Sequence, residues 1–574
     1  MQPVISAEQM REIDRLTTSD HQTSSLLLMQ AAAEACFHAL AEHFAGGLAG
    51  LKTQILCGLG NNGGDGAALA LALARAGAHA DVVLFGTLAE SQGDARANFE
   101  SVQKLSSFAA STGDHPPPLS FVECDTLAAW EKLAQPRRAY DLIVDALFGT
   151  GLSRALVGIF EQVVAHLKML REARERSATQ RPFIVAIDVP SGLNADSATP
   201  IGAVVQADLT VTFTAPKPAN VLPPASHYNG KLVVANIGSS AALVAAAKPE
   251  LFVTEAGDAR EWLMATRYAP DSYKNTHGHV VVIAGSRGYT GAAVLCGNAA
   301  MRSGAGLVTI ATPASAQATV AAGTMPEVMT TALAETDRGA VSEAAIDHVL
   351  QLPADVIAVG PGLSAEDERT RRFVYEIVKR RTTPIVIDAD ALNCLANYTG
   401  GGWPAELQGT KENPIILTPH PGEMRRLLGT TVPDALDDRV TVAREFAAQH
   451  QIILVLKGAR SLVAATDGRV FINPTGNAGL GTAGAGDTLT GIIAGFIAQA
   501  RGTLGENVDV LSATIAALYL GGLAGDLAAH ELGMRAMVAS DIREYLGAAI
   551  RSLDPIGERP PGSAASCLHT PPAD

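Results

Sequence analysis

Between Asn473 and Phe496 the chain reads Asn-Pro-Thr-Gly-Asn-Ala-Gly-Leu-Gly-Thr-Ala-Gly-Ala-Gly-Asp-Thr-Leu-Thr-Gly-Ile-Ile-Ala-Gly-Phe, a glycine-rich lead that gives way to apolar residues at helical spacing. Its single carboxylate, Asp487, falls where the helix begins. Gly484 and Gly486 allow backbone N–H groups to crowd at that helix N-terminus, where they and the helix dipole favour an anion. A transferring phosphoryl group is such an anion, and a carboxylate beside it has a use: it can accept the proton of the attacking hydroxyl. A plain glycine-rich helix entry with Asp487 as its cap meets the same spacing, so the motif alone leaves both readings open.

A chain of 574 residues is too long for one core, and two domains with a tail are expected. With 47% hydrophobic and 18% charged residues it can bury ample apolar surface. A formal net charge of -15 without a long Lys/Arg run argues against nucleic acid or an anionic membrane as a partner. Cys36, Cys57, Cys124, Cys296, Cys394 and Cys567 are scattered without a C-x-x-C pair, as reduced buried thiols would be. The first 15 residues carry Glu8, Arg11, Glu12 and Asp14 and lack the apolar core of a signal peptide, and no stretch is expected to span a bilayer. These features predict a cytoplasmic protein with small-molecule partners; a homo-oligomer is expected, though no residue pattern specifies it.

In the first half, Ser6 followed by Gln9 predicts a capped helix, and Leu26 to Phe44 a second. Thr53 to Cys57 reads as a strand, Gly58 to Gly66 as a loop, Ala67 to Arg75 as a helix and Val82 to Phe85 as the next strand, a β-loop-α-β unit. Gly58, Gly60 and Gly63 match the dinucleotide fingerprint G-x-G-x-x-G literally. That fingerprint requires an acid at the end of the second strand, and Phe85-Gly86-Thr87 stands there instead. The loop carries Asn61, Asn62 and Asp65, which suit a ligand held by amides and a carboxylate. Two further strands, Asp141 to Phe148 and Phe183 to Ile187, end in the polar loops Gly149 to Arg154 and Asp188 to Leu193. In a parallel sheet these ends line one crevice, where the oxygens of Asn62, Asp145, Asp188 and Ser191 would suit a hard cation. Leu209 to Phe213 and Leu232 to Ala235 complete the sheet, followed by an Ala-rich linker.

These residues resemble the N-terminal, epimerase domain of the bifunctional NAD(P)H-hydrate repair enzymes, over residues 1–240, with 241–250 as linker. The resemblance implies a Rossmann-like three-layer sandwich and a potassium ion near Asn62, Asp145 and Ser191. It implies substrate held by Asn61, Asn62, Gly63, Gly64 and Asp65, by Gly149, Thr150, Gly151, Leu152, Ser153, Arg154 and Ala155, and by Asp188, the proton-transfer residue. Gln30 departs from the Glu of the family's Leu-Met-Glu helix.

The second half alternates strands and helices again. Val280 to Ala284, Leu307 to Ala311, Ala354 to Val359, Pro384 to Ile387, Pro414 to Leu417 and Ile452 to Leu456 read as strands of a second α/β sheet. His277 and His279 lack a third ligand nearby and read as loop residues, and no G-x-x-x-x-G-K-[ST] occurs. Residues 251–552 resemble the ribokinase-like superfamily through Gly484 to Asp487. Within it they are most similar to the NAD(P)H-hydrate dehydratases, through Gly360-Pro361-Gly362, Thr418 to Glu423 and Thr475-Gly476-Asn477. The resemblance implies a ribokinase-like α/β sandwich with ADP held by Lys457, Gly458, Ala459, Arg460, Ser461 and Gly486. It implies the hydrated nicotinamide beside Ala293, Gly362 and His420, Asp487 as base, and magnesium on the nucleotide. Residues 553–574 are expected to be a disordered tail.

The two resemblances imply a fused isomerase and lyase, multifunctional, that repairs nicotinamide cofactors hydrated at C6: one domain interconverts the R and S forms of NADHX and NADPHX, the other dehydrates the S form. A second reading keeps a ribokinase-like kinase of a small vitamin alcohol with a non-catalytic, nucleotide-binding N-terminal module.

Overall fold

The computed structural model describes residues 1–20, 24–112, 118–134, 139–177, 182–398, 400–505 and 508–554. Leu553 ends the last helix and Asp554 pairs with Arg267, whereas residues 555–574 of the expected tail, Cys567 among them, lie outside the described residues. The chain divides into two compact units, Pro3–Glu250 and Leu251–Asp574 with Met1–Gln2. After a short β1 (Gln2–Val4), the first unit contributes β2 (Lys52–Cys57), β3 (His79–Leu84), β4 (Leu119–Glu123), β5 (Leu142–Ala146), β6 (Phe183–Ile187), β7 (Leu209–Phe213) and β8 (Lys231–Ala235). The second contributes β9 (Leu251–Val253), β10 (His279–Ile283), β11 (Leu307–Pro313), β12 (Met329–Leu333), β13 (Val356–Val359), β14 (Ile385–Ile387), β15 (Ile415–Leu417), β16 (Ile453–Leu456), β17 (Leu462–Ala464) and β18 (Val470–Ile472).

The first sheet runs β4-β3-β2-β5-β6-β7-β8 with parallel pairing throughout. Its strands are apolar on both faces because both faces are covered: Ile55, Cys57, Val82 and Val144 join one core, while Leu56, Val83, Ile143 and Ile184 join another. Strand order reverses between β2 and β5, which opens a crevice at their C-terminal ends.

The second sheet carries the order β9-β18-β17-β16-β15-β14-β13-β10-β11-β12. From β16 to β12 the pairing is parallel, and β17 pairs antiparallel with both β16 and β18. The Ala485–Leu504 helix lies over β10, β13 and β14 and buries Ile492, Ile493, Phe496 and Ile497. Two α/β units, each a sheet sandwiched by helices, are therefore the architecture.

Three details differ from the sequence reading. The stretch expected as a loop to Gly66 turns helical at Asn61, because the Gly60 cap is followed by residues whose small side chains let the first turn pack tightly on β2 and β5. The stretch expected as a linker forms the Ala241–Ala246 helix, capped by Ser240, with Val244 packed in the first unit beside Ile5, Met10 and Ile13. The Val510–Leu532 helix is long and apolar enough to cross a membrane, contrary to the expectation of no such stretch, but most of it is buried in the second unit's core. Leu518 and Ala524 pack there because the neighbouring Ala485–Leu504 helix offers an equally apolar face.

Candidate functional site

At the first sheet's crevice, the glycines of the Asn61–Arg75 helix serve close packing. A Cβ on Gly63 would overlap the Gly58 carbonyl, and one on Gly66 would lie 2.6 Å from Ala146 Cβ. The helix start is thereby pressed against the ends of β2 and β5. A Cβ built on Gly149 would lie 3.1 Å from Asn62 Oδ1 and 3.3 Å from Asp188 Oδ2, so three of the expected site residues, from three strand ends, meet at one place.

Asp188 holds a left-handed backbone conformation, φ +67°, which a non-glycine residue adopts only when its surroundings impose it. Thr212 Oγ1 donates to Asp188 Oδ1 at 2.9 Å, and the Lys217 ammonium donates to the same oxygen at 2.6 Å. Lys217 also reaches Thr212 Oγ1 and the Phe213 carbonyl, and the ammonium is fully enclosed. Two further carboxyls share this field. Burial, then Asp188 and Asp14, push Asp65 well above the ordinary carboxylate range. Burial also lifts Asp14 to about 6 against the pull of Lys217, and its Oδ1 is buried without a hydrogen-bond partner. In the sequence Asp14 stands out only as one of several N-terminal charges, and Lys217 only as part of the ligand-side loop Thr214 to Lys217. Their relevance comes from the return of the first helix and the post-β7 loop to the same crevice.

Asp145 is fully buried at the end of β5. Ser191 donates to it through its backbone N–H at 2.8 Å and its hydroxyl at 2.6 Å, and the Leu147 N–H donates at 3.3 Å. Burial nevertheless raises its carboxyl to about 6, the hydrogen bonds opposing the shift. Ser191 Oγ also accepts from the Phe148 N–H at 3.0 Å. The Asn62 amide nitrogen is buried without a partner. Asp145 and Ser191 thus bring carboxylate and hydroxyl oxygens together, hard donors of the kind a cation takes, while Asn62 Oδ1 stands on the Gly149 and Asp188 side of the crevice. Gly151, Ser153, Arg154 and Ala155 lie on an exposed loop, with Thr150 and Leu152 partly buried, and the structure does not draw these side chains into the Asn62–Asp188 cluster.

In the second unit, Gly484 caps the Ala485–Leu504 helix in the left-handed region, φ +85°, as the sequence required. A Cβ on Gly486 would lie 3.2 Å from Lys457 Nζ and 3.5 Å from Asp388 Oδ2. The Lys457 ammonium donates to Asp388 Oδ1 at 2.7 Å and Thr490 Oγ1 donates to Asp388 Oδ2 at 2.8 Å. Although burial opposes it, Lys457 and these hydrogen bonds hold the Asp388 carboxyl below its ordinary range. Asp487 shows the opposite result: burial and then the charge of Asp388 push it up to about 6, with Lys457 opposing. A carboxyl poised there, on the third residue of a helix whose N-terminus faces an ammonium, is suited to receive a proton near neutral pH.

Gly362 follows β13 and His420 follows β15, the strands on either side of β14, which leads into Asp388. Gly362 sits at φ +64° with its carbonyl accepting from Ser286 Oγ at 2.8 Å, and Ala293 packs beside Gly285. His420 caps the Pro421–Leu427 helix, its Nδ1 accepting from the Gly422 N–H at 2.9 Å. Burial, Lys457 and Arg426 depress its pKa, and about half of its side chain remains exposed. Glu423 is buried beside it and raised to about 7 by burial. Asn477 Nδ2 donates to Asp526 Oδ1 at 2.9 Å, which ties the Thr475-Gly476-Asn477 turn to the Val510–Leu532 helix. The sequence signal for Asp388 is the Asp388-Ala389-Asp390 run into which the strand ending at Ile387 leads. His277 stacks on Tyr268, and His279 Nε2 meets Thr309 Oγ1 at 2.8 Å. Among the described residues no cluster of three His, Cys, Asp or Glu side chains forms a metal site, and Cys36, Cys57, Cys124, Cys296 and Cys394 are buried free thiols.

Comparison with known proteins matches both units. The family described as NAD(P)H-hydrate dehydratase matches residues 280–547, and the family described as YjeF-related protein N-terminus matches residues 25–219. The bifunctional NAD(P)H-hydrate repair enzyme Nnr of Moorella thermoacetica is 40% identical over 554 residues, 96% of this chain and 97% of that one. The enzyme of the same name from Escherichia coli is 33% identical over 491 residues, covering 85% and 83%. Among solved structures, the ADP/ATP-dependent NAD(P)H-hydrate dehydratase of Bacillus subtilis, co-crystallised with ATP and Mg2+, is 30% identical over 53% of this chain and 99% of its own, with a TM-score of 0.45.

Proposed function

The chain belongs to the family of bifunctional NAD(P)H-hydrate repair enzymes, both an epimerase and a dehydratase, and on that premise we propose how its residues divide the repair. The unit of residues 1–250 interconverts the R and S forms of NADHX and NADPHX. The unit from Leu251 dehydrates the S form, with ADP donating a phosphoryl group.

In the dehydratase unit, Asp487 accepts the C6 hydroxyl proton as the hydroxyl oxygen attacks the terminal phosphorus of ADP, releasing AMP. The Ala485 and Gly486 amides and the Lys457 ammonium stabilise the negative charge that spreads over the transferring group. Phosphate then leaves from C6 as the neighbouring C–H loses its proton, and the ring double bond of NADH or NADPH returns. Water is a poor leaving group and phosphate a good one, which gives a kinase-like site a reason to perform a lyase reaction. Lys457, Gly458, Ala459, Arg460, Ser461 and Gly486 hold the nucleotide, and Ala293, Gly362 and His420 bound the nicotinamide pocket. Magnesium would be carried chiefly by the nucleotide phosphates, with Glu423 the oxygen donor available once ionised, and would neutralise phosphate charge.

In the epimerase unit, Asp188 exchanges the proton, kept oriented by Lys217 and Thr212. Asn61, Asn62, Gly63, Gly64 and Asp65 hold the substrate, and the exposed Gly149 to Ala155 loop covers it. Asn62, Asp145 and Ser191 would hold the potassium ion, which would supply a positive charge beside the buried Asp145 carboxylate.

The observation that carries the reading is Asp487, raised to about 6 beside the Lys457 ammonium at a glycine-opened helix N-terminus. The test is NADH recovery from mixed R and S NADHX with potassium and magnesium, comparing ADP, ATP and no nucleotide. Complete ADP-dependent recovery, faster than spontaneous epimerisation permits, is expected. Recovery that halts after a fast S-only phase removes the epimerase assignment; recovery with ATP alone removes ADP as donor.

A further inference from the structure

Behind the Lys457–Ser461 loop stands an arginine that no part of the reaction above uses. Arg439 opens the Arg439–His450 helix. Its Nη1 donates to the Ala459 carbonyl at 3.0 Å, and its Nη2 to the Leu456 and Lys457 carbonyls at 3.3 and 3.4 Å. One guanidinium thus gathers three carbonyls from the end of β16 and the loop that follows. We propose that Arg439 is the positioning residue that sets this loop in its nucleotide-receiving form, an inference that rests on the loop being the ADP site.

The geometry gives the reason. A trans peptide places its C=O and N–H on opposite sides, so drawing the Ala459 carbonyl toward Arg439 turns the Arg460 N–H away from it. Arg460 itself sits at φ +54°, a left-handed conformation that the loop must be held in. Gly458, at φ +153°, lies against the guanidinium: a Cβ there would stand 2.9 Å from Nη2. Gly458 is therefore the residue type that lets the fork approach three carbonyls at once. Lys457 begins the same loop, and its ammonium is the one that meets Asp388 and the Gly486 turn.

Charge adds to this. Among the described residues no carboxylate pairs with Arg439, since Asp438 spends its oxygens on the Thr441 N–H and hydroxyl. The guanidinium Nε is buried without a partner, and burial draws its pKa below the ordinary value. A cation held uncompensated on one side of the loop favours a polyanion on the other. Lysine cannot reproduce the planar fork, because its ammonium is a single point of donation.

The test compares Arg439→Ala and Arg439→Lys with the full-length wild type. It measures KM for ADP and kcat in the dehydratase reaction, and ADP binding by calorimetry without NADHX. The thermal midpoint of the second unit, read on the same preparations, reports that the unit carrying Arg439 is folded. Arg439→Ala is expected to raise KM and the dissociation constant for ADP about tenfold or more while kcat changes less than about threefold, with Arg439→Lys in between. An unchanged KM, or a fall in kcat alone, overturns the inference. If Arg439→Ala does not fold, Arg439→Lys decides: wild-type KM overturns, a raised KM with preserved kcat supports. A wild type that binds neither ADP nor ATP, or a KM indifferent to Lys457→Ala, overturns the nucleotide-loop reading itself and the inference with it; ADP bound normally by wild type and Arg439→Ala alike overturns only the inference.

Discussion

The Lys217 ammonium, 1% exposed, donates to Asp188 Oδ1 at 2.6 Å. A lysine so enclosed keeps its charge only beside a carboxylate, and here the carboxylate belongs to a residue strained into φ +67°. The pair fixes one Asp188 oxygen and leaves Oδ2 directed at the Gly149 and Asn62 side of the crevice.

Removing the Asp188 carboxylate therefore separates the two activities. Asp188→Asn is expected to lower enzymatic epimer interconversion about 100-fold or more, while dehydration of pure S NADHX stays within about twofold of wild type. Chiral separation of R and S NADHX over time checks the first, and NADH absorbance checks the second. Equal loss of both rates contradicts the assignment.

Asp487 must be ionised to accept a proton, and its carboxyl is raised to about 6. The active form is thus present above that value and disappears as pH falls through it. The dehydratase kcat/KM is expected to drop tenfold per pH unit below about 6, with Asp487→Asn losing the activity at every pH. A rate that holds level to pH 5 sinks the assignment.

Asp145 has a folded pKa of about 6 against an ordinary 3.8. A raised carboxyl favours the folded state most below the ordinary value, and that advantage is lost as pH rises through about 6; above it, the ionised form costs on the order of 3 kcal/mol. A cation bound at Asp145 offsets this cost only when the carboxylate is ionised. Potassium, against tetramethylammonium at equal ionic strength, is expected to raise the thermal midpoint of the first unit more at pH 8 than at pH 5, and Asp145→Asn to abolish the difference. A potassium shift of the same size at both pH values argues for binding elsewhere.

Gly63→Ala tests whether the glycine-rich stretch is there for packing. A methyl at position 63 would overlap the Gly58 carbonyl, and backbone cannot yield as a side-chain tip can. The substitution is expected to destabilise the first unit by about 1–3 kcal/mol or more, read in urea melts, whereas Gly60→Ala, with open space around it, changes little. Equal stability of the two variants contradicts a packing role for Gly63.

Local chemistry made much of this protein legible from its sequence. Buried strands need continuous apolar runs, loaded loops follow them, and a left-handed helix cap needs glycine; β2, β5, β6 and the Gly484 cap were all readable because each depends on near neighbours in the chain. Two α/β units and the family they belong to followed from those local patterns. Tertiary structure decided the rest. That Asn61 to Gly66 form a helix turn, that residues 241–246 form a docked helix, and that β17 and β18 extend the second sheet depend on partners far along the chain. So do the charge states of Asp388 and Asp487: Lys457 and Thr490 hold the first low, while burial and then the charge of Asp388 raise the second. Sequence names the acids, but burial and the neighbours brought by the fold decide which of them holds a proton.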